Sequence, residues 1–415
     1  MTGSTLLLFI TTAIVLQALL LGGASLLRYR VAARPGAADS PTTIPHVLDA
    51  AWAGWRNFRV ARRVYEDMQQ SQCSFYLEPV DGVPLRAFKP GQFLTFQLDL
   101  PSRTLTRCYS LSDRPSAEHY RVTIKRQKAP LNLPSARPGL ASSHFHNAIK
   151  VGDILRVRAP AGAFFVDPDP THAIVLIAGG IGITPMLSML RWCVDEQPTR
   201  SIYLYYGLRS GDEHVFKQQL EQLAATHPNF HLTVAYSQPQ PEDKHGRDFQ
   251  HHGHVDLDLI KSTLPHGYHQ FYICGPAPMM ETLVPALGAW GVAAADIHFE
   301  AFGPASIRTV TSSVIGSADT LQPTGQDVNA ESFEVQFLQS ARTFNWTAAA
   351  GNLLEFAEKN GIIVDSGCRA GSCGACETKL ISGSVRYADK PEYDFATGNC
   401  LLCVGVPLTN VVLAA

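Results

Sequence analysis

Cys368, Cys373 and Cys376 stand in the order C-x4-C-x2-C, and Cys403 follows 27 positions after the third of them. Four thiolates at that spacing suit a [2Fe-2S] cluster, whose irons take cysteine sulfur as ligand. A disulfide framework or a tetrahedral zinc site would also use a C-x2-C pair. The residues in between argue for the cluster: Gly367, Ala370, Gly371, Gly374 and Ala375 are small, so the backbone can wrap closely and turn its N–H groups toward sulfur. Cys400 competes for the fourth position; Cys403 is preferred because it opens an apolar, strand-like run in GNCLLCVGVP. A cluster of this kind moves one electron at a time and makes no bonds. The source of the electrons must lie elsewhere in the chain.

Three further segments carry chemistry. Arg107-Cys108-Tyr109-Ser110 offers a cation, an aromatic ring and a hydroxyl on one strand, able to meet the phosphate, ring plane and polar edge of a bound flavin. Alone it would pass for an ordinary amphipathic strand. Pro90-Gly91-Gln92 upstream strengthens it, as does Gly139-Leu140-Ala141-Ser142 downstream, where a helix opening after glycine presents free N–H groups to a pyrophosphate. The second segment, AIVLIAGGIGITPMLSML, runs from an apolar strand, Ala173 to Ala178, into Gly179, Gly180 and Gly182, with Thr184 and Pro185 opening a helix. The third, FYICGPAPMM, repeats the pattern with a strand ending at Cys274 and a turn at Gly275-Pro276. Two parallel strands ending in tight turns form the crevice where a dinucleotide lies.

The elements that must hold these residues divide the chain into a series of parts. Segments such as FLTFQLDL, YRVTIKRQ and ILRVRAP alternate in polarity between Gly and Pro turns, and predict an antiparallel barrel over residues 54–168. Residues 169–303 predict an α/β domain with a parallel sheet. FEVQFLQ and TFNW predict a hairpin, and Asn352 to Asn360 a short helix, within a last domain at 332–415. Residues 304–331, rich in Ser, Thr and Gly, read as a linker with a reach of about 30 Å if flexible. Thr5 to Leu27 is free of charge over 23 residues, long enough as a helix, at about 35 Å, to cross a bilayer. Residues 1–30 are expected to be a transmembrane anchor and 31–53 a linker. Arg28, Arg30 and Arg34, with Arg56, Arg59, Arg62 and Arg63 beyond, place the remainder in the cytoplasm by the positive-inside rule. The nine cysteines are an odd number and are scattered, which fits a reducing compartment. With Lys and Arg at 34 against Asp and Glu at 36, no basic surplus favours nucleic acid.

Residues 332–415 resemble a plant-type ferredoxin, which implies a β-grasp-like fold and places Cys403 where that family has its fourth ligand. The barrel and the parallel-sheet domain resemble the flavin and NAD(P) domains of the ferredoxin-NADP reductase superfamily. The resemblance implies that Arg107, Tyr109 and Ser110 contact the flavin, that Ile124 and Lys125 lie beside it, and that Gly139 and Ser142 hold its pyrophosphate. It likewise puts Gly179, Gly180, Gly182, Thr184 and Pro185 around the nicotinamide dinucleotide, with Cys274, Gly275 and Pro276 near the nicotinamide. From IHFEAFGP it brings Glu300 and Phe302 to the flavin face, so that Ser110, Cys274, Glu300 and Phe302 form the catalytic set. Cys274 could instead be a plain buried thiol. The PGLAS form is more similar to the reductase part of flavohaemoglobins, which use FAD, than to phthalate dioxygenase reductase, which uses FMN. FAD is therefore expected over FMN. NADH is preferred over NADPH because Gln238 and Pro239 occupy the place of a 2'-phosphate-binding arginine, although Arg209 could substitute.

The order of flavin, nucleotide and ferredoxin domains is that of phthalate dioxygenase reductase and similar oxygenase reductases. A nicotinamide releases two electrons together and a [2Fe-2S] cluster takes one, so a flavin must stand between them. The expected activity is electron transfer from NADH through FAD and the cluster to an acceptor protein such as an oxygenase, hydroxylase or desaturase. A quinone or small-molecule reductase is the alternative enzyme, and an Fe-S redox sensor the alternative without turnover. His251, His252 and His254 read as a solvated loop. His144 and His146 lie beside the pyrophosphate segment, on the helix surface or against phosphate.

Overall fold

The computed structural model describes residue 52 and residues 54–101, 103–129, 138–301, 332–388 and 390–415. The apolar run at 5–27, the linker at 304–331 and Phe302 lie outside the described residues. Among the described residues no helix is long and apolar enough to cross a membrane.

The barrel is built from β1 (Arg56–Tyr65), β2 (Gln72–Pro79), β3 (Phe93–Asp99), β4 (Thr104–Ser110), β5 (Tyr120–Lys125) and β6 (Ile154–Ala161), in the order β4-β3-β6-β1-β2-β5. All of its pairings are antiparallel. A bridge from Leu111 to Val122 brings the two end strands together. Alternation drives Phe58, Val60, Phe75, Leu77, Phe96 and Val122 inward, and Phe145 of α1 (Leu140–Asn147) packs among them. Gly91, at a φ of 113°, turns the chain so tightly that a Cβ there would lie 2.5 Å from the Phe164 carbonyl oxygen. Pro90-Gly91-Gln92 is thus a docking turn.

The second domain has a six-stranded sheet, entirely parallel. Its strands are β7 (Ala173–Gly179), β8 (Ile202–Leu208), β9 (Phe230–Tyr236), β10 (His251–His252), β11 (His269–Gly275) and β12 (Ile297–Ala301), in the order β10-β9-β8-β7-β11-β12. The chain builds outward from β7 through β10 and then returns to lay β11 on the other side. β7 therefore buries both faces, which explains its unbroken apolar run. Ile174, Leu176 and Ala178 pack with α2 (Ile183–Glu196) and α3 (Lys217–Thr226); Val175 and Ile177 pack with α4 (Leu257–Thr263) and α5 (Ala277–Trp290). His251 and His252, expected in a loop, form the short edge strand β10, because the backbone following β9 returns to pair with it.

In the third domain β13 (Ser332–Phe337) and β14 (Arg342–Thr347) form the expected hairpin. They are followed by α6 (Leu353–Lys359), β15 (Glu377–Ser382), β16 (Val385–Tyr387), β17 (Asn399–Leu401), β18 (Gly405–Pro407) and β19 (Val411–Leu413). The main sheet runs β14-β13-β19-β15-β17, with β13 parallel to β19, and β16 pairs with β18. Asn352 caps α6 by accepting from the Glu355 N–H, and Leu353, Leu354 and Phe356 of that helix join the sheet's core.

The first and second domains lock together through Asp113. Its carboxylate forms ion pairs with Arg121 of β5 at 3.5 Å and with Arg191 of α2 at 3.0 Å, and its carbonyl accepts from Ser188 Oγ at 2.7 Å. Phe164 and Val166, after β6, already belong to the core of the second domain. Buried Arg200 ties this strap down by donating to the carbonyls of Asp167 and His172 and to the side chains of Gln197 and Gln270.

The tightest backbone approach is that of η1 (the turn Gly180–Gly182) to β11, where a Cβ on Gly182 would lie 2.1 Å from the Cys274 carbonyl oxygen. Gly182→Ala should force these two loops apart at a cost of about 1–3 kcal/mol, the range for overpacking a closed site. Chemical unfolding would read the loss, and NADH titration the accompanying loss of affinity.

Candidate functional site

The C-terminal ends of β7 and β11 adjoin at the point where the strand order reverses, and their turns are in contact. A Cβ on Gly179 would meet the Pro276 ring at 2.6 Å, and Gly275 would crowd the Gly179 backbone at 3.1 Å. Gly180 takes a φ of 53° with open space before it. Thr184 Oγ1 donates to the Ile181 carbonyl and fixes the turn into α2, while Pro185 is buried in that helix. Backbone approach this close, with open space over Gly180, fits a dinucleotide pyrophosphate. At the far end of the crevice Gln238 N donates to the Arg209 carbonyl, and Asp243 accepts from Gly211 N and Gln240 N. A carboxylate set there opposes an added 2'-phosphate.

Three expected residues meet across the two domains. Cys274 pairs with Glu300 in the register of β11 and β12, and Ser110 Oγ at the end of β4 donates to Glu300 Oε2 at 3.3 Å. Burial raises the Glu300 carboxyl to about 8, against the opposing hydrogen bond from Ser110. Its acid form therefore persists at neutral pH, and the residue can hold or release a proton there. Burial, with the Glu300 charge adding to it, pushes the Cys274 thiol well up. Cys274 is an uncharged, fully buried neighbour in this structure.

Around β4 the expected flavin residues divide. Tyr109 faces inward and meets Phe96 and Phe145 edge to face, and burial raises its phenol. Lys125 reaches the second domain and pairs with Glu213 at 3.2 Å, while Ile124 is buried in the barrel core. Ser142 Oγ donates to the Gly139 carbonyl and accepts from Gln127 N, closing the entry to α1, whose first N–H groups have no partner among the described residues. His146 is a bolt: its Nε2 bonds the Ile124 carbonyl at 2.8 Å, and burial lowers its pKa. Arg107 donates both to its neighbour's carbonyl, Thr106, and across to the Ser366 carbonyl in the third domain. The free α1 terminus, inward Tyr109 and outward Ser110 suit a flavin.

The cysteines stand as two neighbouring pairs, Cys368 beside Cys373 and Cys376 beside Cys403. Among the described residues no three His, Cys, Asp or Glu side chains converge as they would on a single ion. Two pairs suit two irons. N–H groups of Cys368 and Ala375 point at Cys373 Sγ, those of Ala370 and Ser372 at Cys368 Sγ, and that of Cys403 at Cys376 Sγ. Small residues are required: a Cβ on Gly367 would lie 2.7 Å from Cys373 Sγ, and one on Gly374 2.3 Å from the Tyr393 ring. The donor set and its N–H cradle fit a [2Fe-2S] cluster. The strand-like run was expected to open at Cys403, but it is Cys400 that lies in a strand, β17, with its side chain buried in the core. Cys403 sits in the turn toward β18, free of the ladder and able to face Cys376.

Two residues outside the expected set stand at this junction. Cys108 lies against Cys373, and Arg158 of β6 donates to the Cys373 carbonyl at 2.8 Å. Cys108 was visible within R-C-Y-S; Arg158 had no local signal, being one polar position of an alternating strand.

Cys403→Ala should lose the visible absorbance of the cluster, whereas Cys400→Ala should keep it and lower the unfolding midpoint through the cavity it leaves. For Glu300 the folded pKa lies above the unfolded one. Its contribution to stability is therefore full below pH 4.5 and is lost as pH rises toward 8. Thermal unfolding of the cofactor-free protein from pH 5 to 9 should show this decline, and Glu300→Gln should flatten it.

Comparison with known proteins agrees with the three-part geometry. Residues 82–166 match an oxidoreductase FAD-binding domain, 176–284 an oxidoreductase NAD-binding domain, and 337–408 a 2Fe-2S iron-sulfur cluster binding domain. A flavohemoprotein of Rhizobium meliloti is 39% identical over 255 residues, which cover 61% of this chain and 62% of the relative. The chain thus spans about three-fifths of the length of the curated relatives it matches. The FAD/NAD-binding domain of a nitric oxide dioxygenase from Vibrio cholerae is 33% identical, with a TM-score of 0.53 over 60% of this chain and 100% of that one. Phthalate dioxygenase reductase, described as a modular structure for electron transfer from pyridine nucleotides to [2Fe-2S], is 25% identical, with a TM-score of 0.52 over 87% of this chain and 98% of that one. With FAD, NADH and [2Fe-2S] as its cofactors, the chain is a flavin and iron-sulfur oxidoreductase of the ferredoxin-NADP reductase superfamily, carrying its 2Fe-2S domain at the C-terminal end.

Proposed function

We propose that this protein is the reductase component of a multicomponent system, drawing electrons from NADH and delivering them singly to a partner protein. The observation that carries this reading is the apposition of the cluster loop to the flavin strand: Gly367 is flanked by Cys373 Sγ and by Cys108 Sγ, next to Tyr109. FAD, when bound, accepts a hydride and returns its two electrons one at a time.

The chain's own residues supply position and charge. The turns at Gly179–Gly182 and Gly275–Pro276 seat the dinucleotide. Ser110 and Glu300 hold a proton beside the flavin face, and Cys274 walls the nicotinamide side. Tyr109 lies along the flavin, the α1 terminus receives its pyrophosphate, and Lys125 with Glu213 keeps the two domains in register. Asp243 favours NADH over NADPH.

The acceptor in this reading is a membrane-associated oxygenase, hydroxylase or desaturase. The uncharged run at 5–27, followed by arginines, supports a single-pass anchor with the catalytic domains on the cytoplasmic side. The order of domains supports a protein acceptor over a quinone.

The test is anaerobic turnover with the flavin- and cluster-loaded protein. NADH should reduce ferricyanide and a one-electron protein acceptor such as cytochrome c, with NADPH at least tenfold less efficient in kcat/KM. Cys403→Ala should abolish cytochrome c reduction and spare ferricyanide reduction. Absence of NADH turnover in loaded protein would instead make it a redox sensor.

A further inference from the structure

Three barrel residues reach across to the loop that holds the cluster. Arg158 Nη1 donates to the Cys373 carbonyl at 2.8 Å, and Arg107 Nη1 donates to the Ser366 carbonyl at 2.9 Å. Cys108 places its thiol against that of Cys373, with Thr95 Oγ1 at 3.4 Å behind it. The Arg158 guanidinium lies between two rings, 4.6 Å from Trp55 of the barrel and 4.8 Å from Tyr393 of the third domain. Its Nε is buried without a partner. Two carboxylates face the same seam. Asp365 stands near Arg107 and Arg103, and Glu377, held by Tyr393, Asn399 and Ala396 N, stands near Arg158.

We infer that the flavin barrel supplies part of the cluster's outer coordination sphere, with Arg158 and Cys108 as positioning residues that set the cluster's potential while the two domains are docked. The inference rests on the reading that electrons leave through the cluster. Donors aimed at a ligand's sulfur and carbonyl, and a cation beside them, favour the reduced and more negative state. Without Arg158 the Glu377 charge would stand against the cluster uncompensated. Docking on the barrel thus makes the cluster the better electron acceptor, and any separation from the barrel makes it the better donor. The seam residues themselves gain and lose nothing: for each hydride drawn from NADH, two electrons cross one at a time and one proton is left to solvent.

The experiment is a redox titration of the full-length loaded protein followed by electron paramagnetic resonance, with stopped-flow reduction by NADH alongside. Arg158→Met should shift the flavin-to-cluster equilibrium about tenfold toward the flavin, about 59 mV for a one-electron couple. It should also slow cluster reduction about tenfold, leave flavin reduction by NADH within about twofold, and be largely restored in Arg158→Lys. Cys108→Ala should shift the potential in the same direction, and it carries the test if Arg158→Met fails to keep its cluster. Unchanged potentials in both variants, or a Lys variant no better than Met, would overturn the inference while NADH still reduced the cluster. Failure of NADH to reduce the cluster in the unaltered protein would overturn the underlying reading instead.

Discussion

Strand β4 lies at the end of its sheet, paired to β3 along one edge and tied to β5 only by the bridge beyond its last residue. Its other edge and its outward side chains are therefore available to the two neighbouring domains. Tyr109 points into the barrel, whereas Ser110 and Cys108, each one residue away, point out of it. The period of two that any strand imposes puts Ser110 toward Glu300 and Cys108 toward Cys373. A two-electron donor and a one-electron acceptor can then approach the same outward face at positions about 7 Å apart along the strand.

The remainder of the structure keeps that arrangement rigid. Asp113 with two arginines, Lys125 with Glu213, and the Arg200 hub all join the barrel to the nucleotide domain, and each is at least partly shielded from water. Such pairs contribute more to geometry than to net stability, because desolvation offsets much of their attraction. Their value lies in register: Glu300 meets Ser110 only while β12 and β4 keep their relative positions. The cluster loop depends on a different device. Its cysteines are held by N–H groups from their own loop, and glycines at 367, 371 and 374 allow the chain to close around them.

Much of this was legible from residue order. The strand at Ala173, the turns after it, the hairpin at Ser332 and the helix at Asn352 all follow from local patterning and capping. So did the cluster loop at Cys368, Cys373 and Cys376, since spacing within one loop is itself a geometric statement. What residue order left unseen were the contacts a residue makes with a distant partner. Pro90-Gly91-Gln92, which strengthened the reading of the flavin strand, also packs its turn against Phe164. Arg107, expected at the flavin, also bonds Ser366, 259 positions away. His146 is a bolt to the Ile124 carbonyl.

The sequence by itself determined the parts: three domains, the chemistry each one carries, and the small residues that permit close backbone approach, because these depend on neighbours within a few positions. Tertiary structure decided how the parts address one another. Whether Glu300 meets Ser110, which of Cys400 and Cys403 faces Cys376, and which arginines touch the cluster loop depend on contacts between segments far apart in the chain. The choice between the two cysteines shows the reason most plainly. Both sit in one apolar stretch, but the ladder of β17 commits Cys400 to the core, and the turn after it leaves Cys403 free to turn toward its partner.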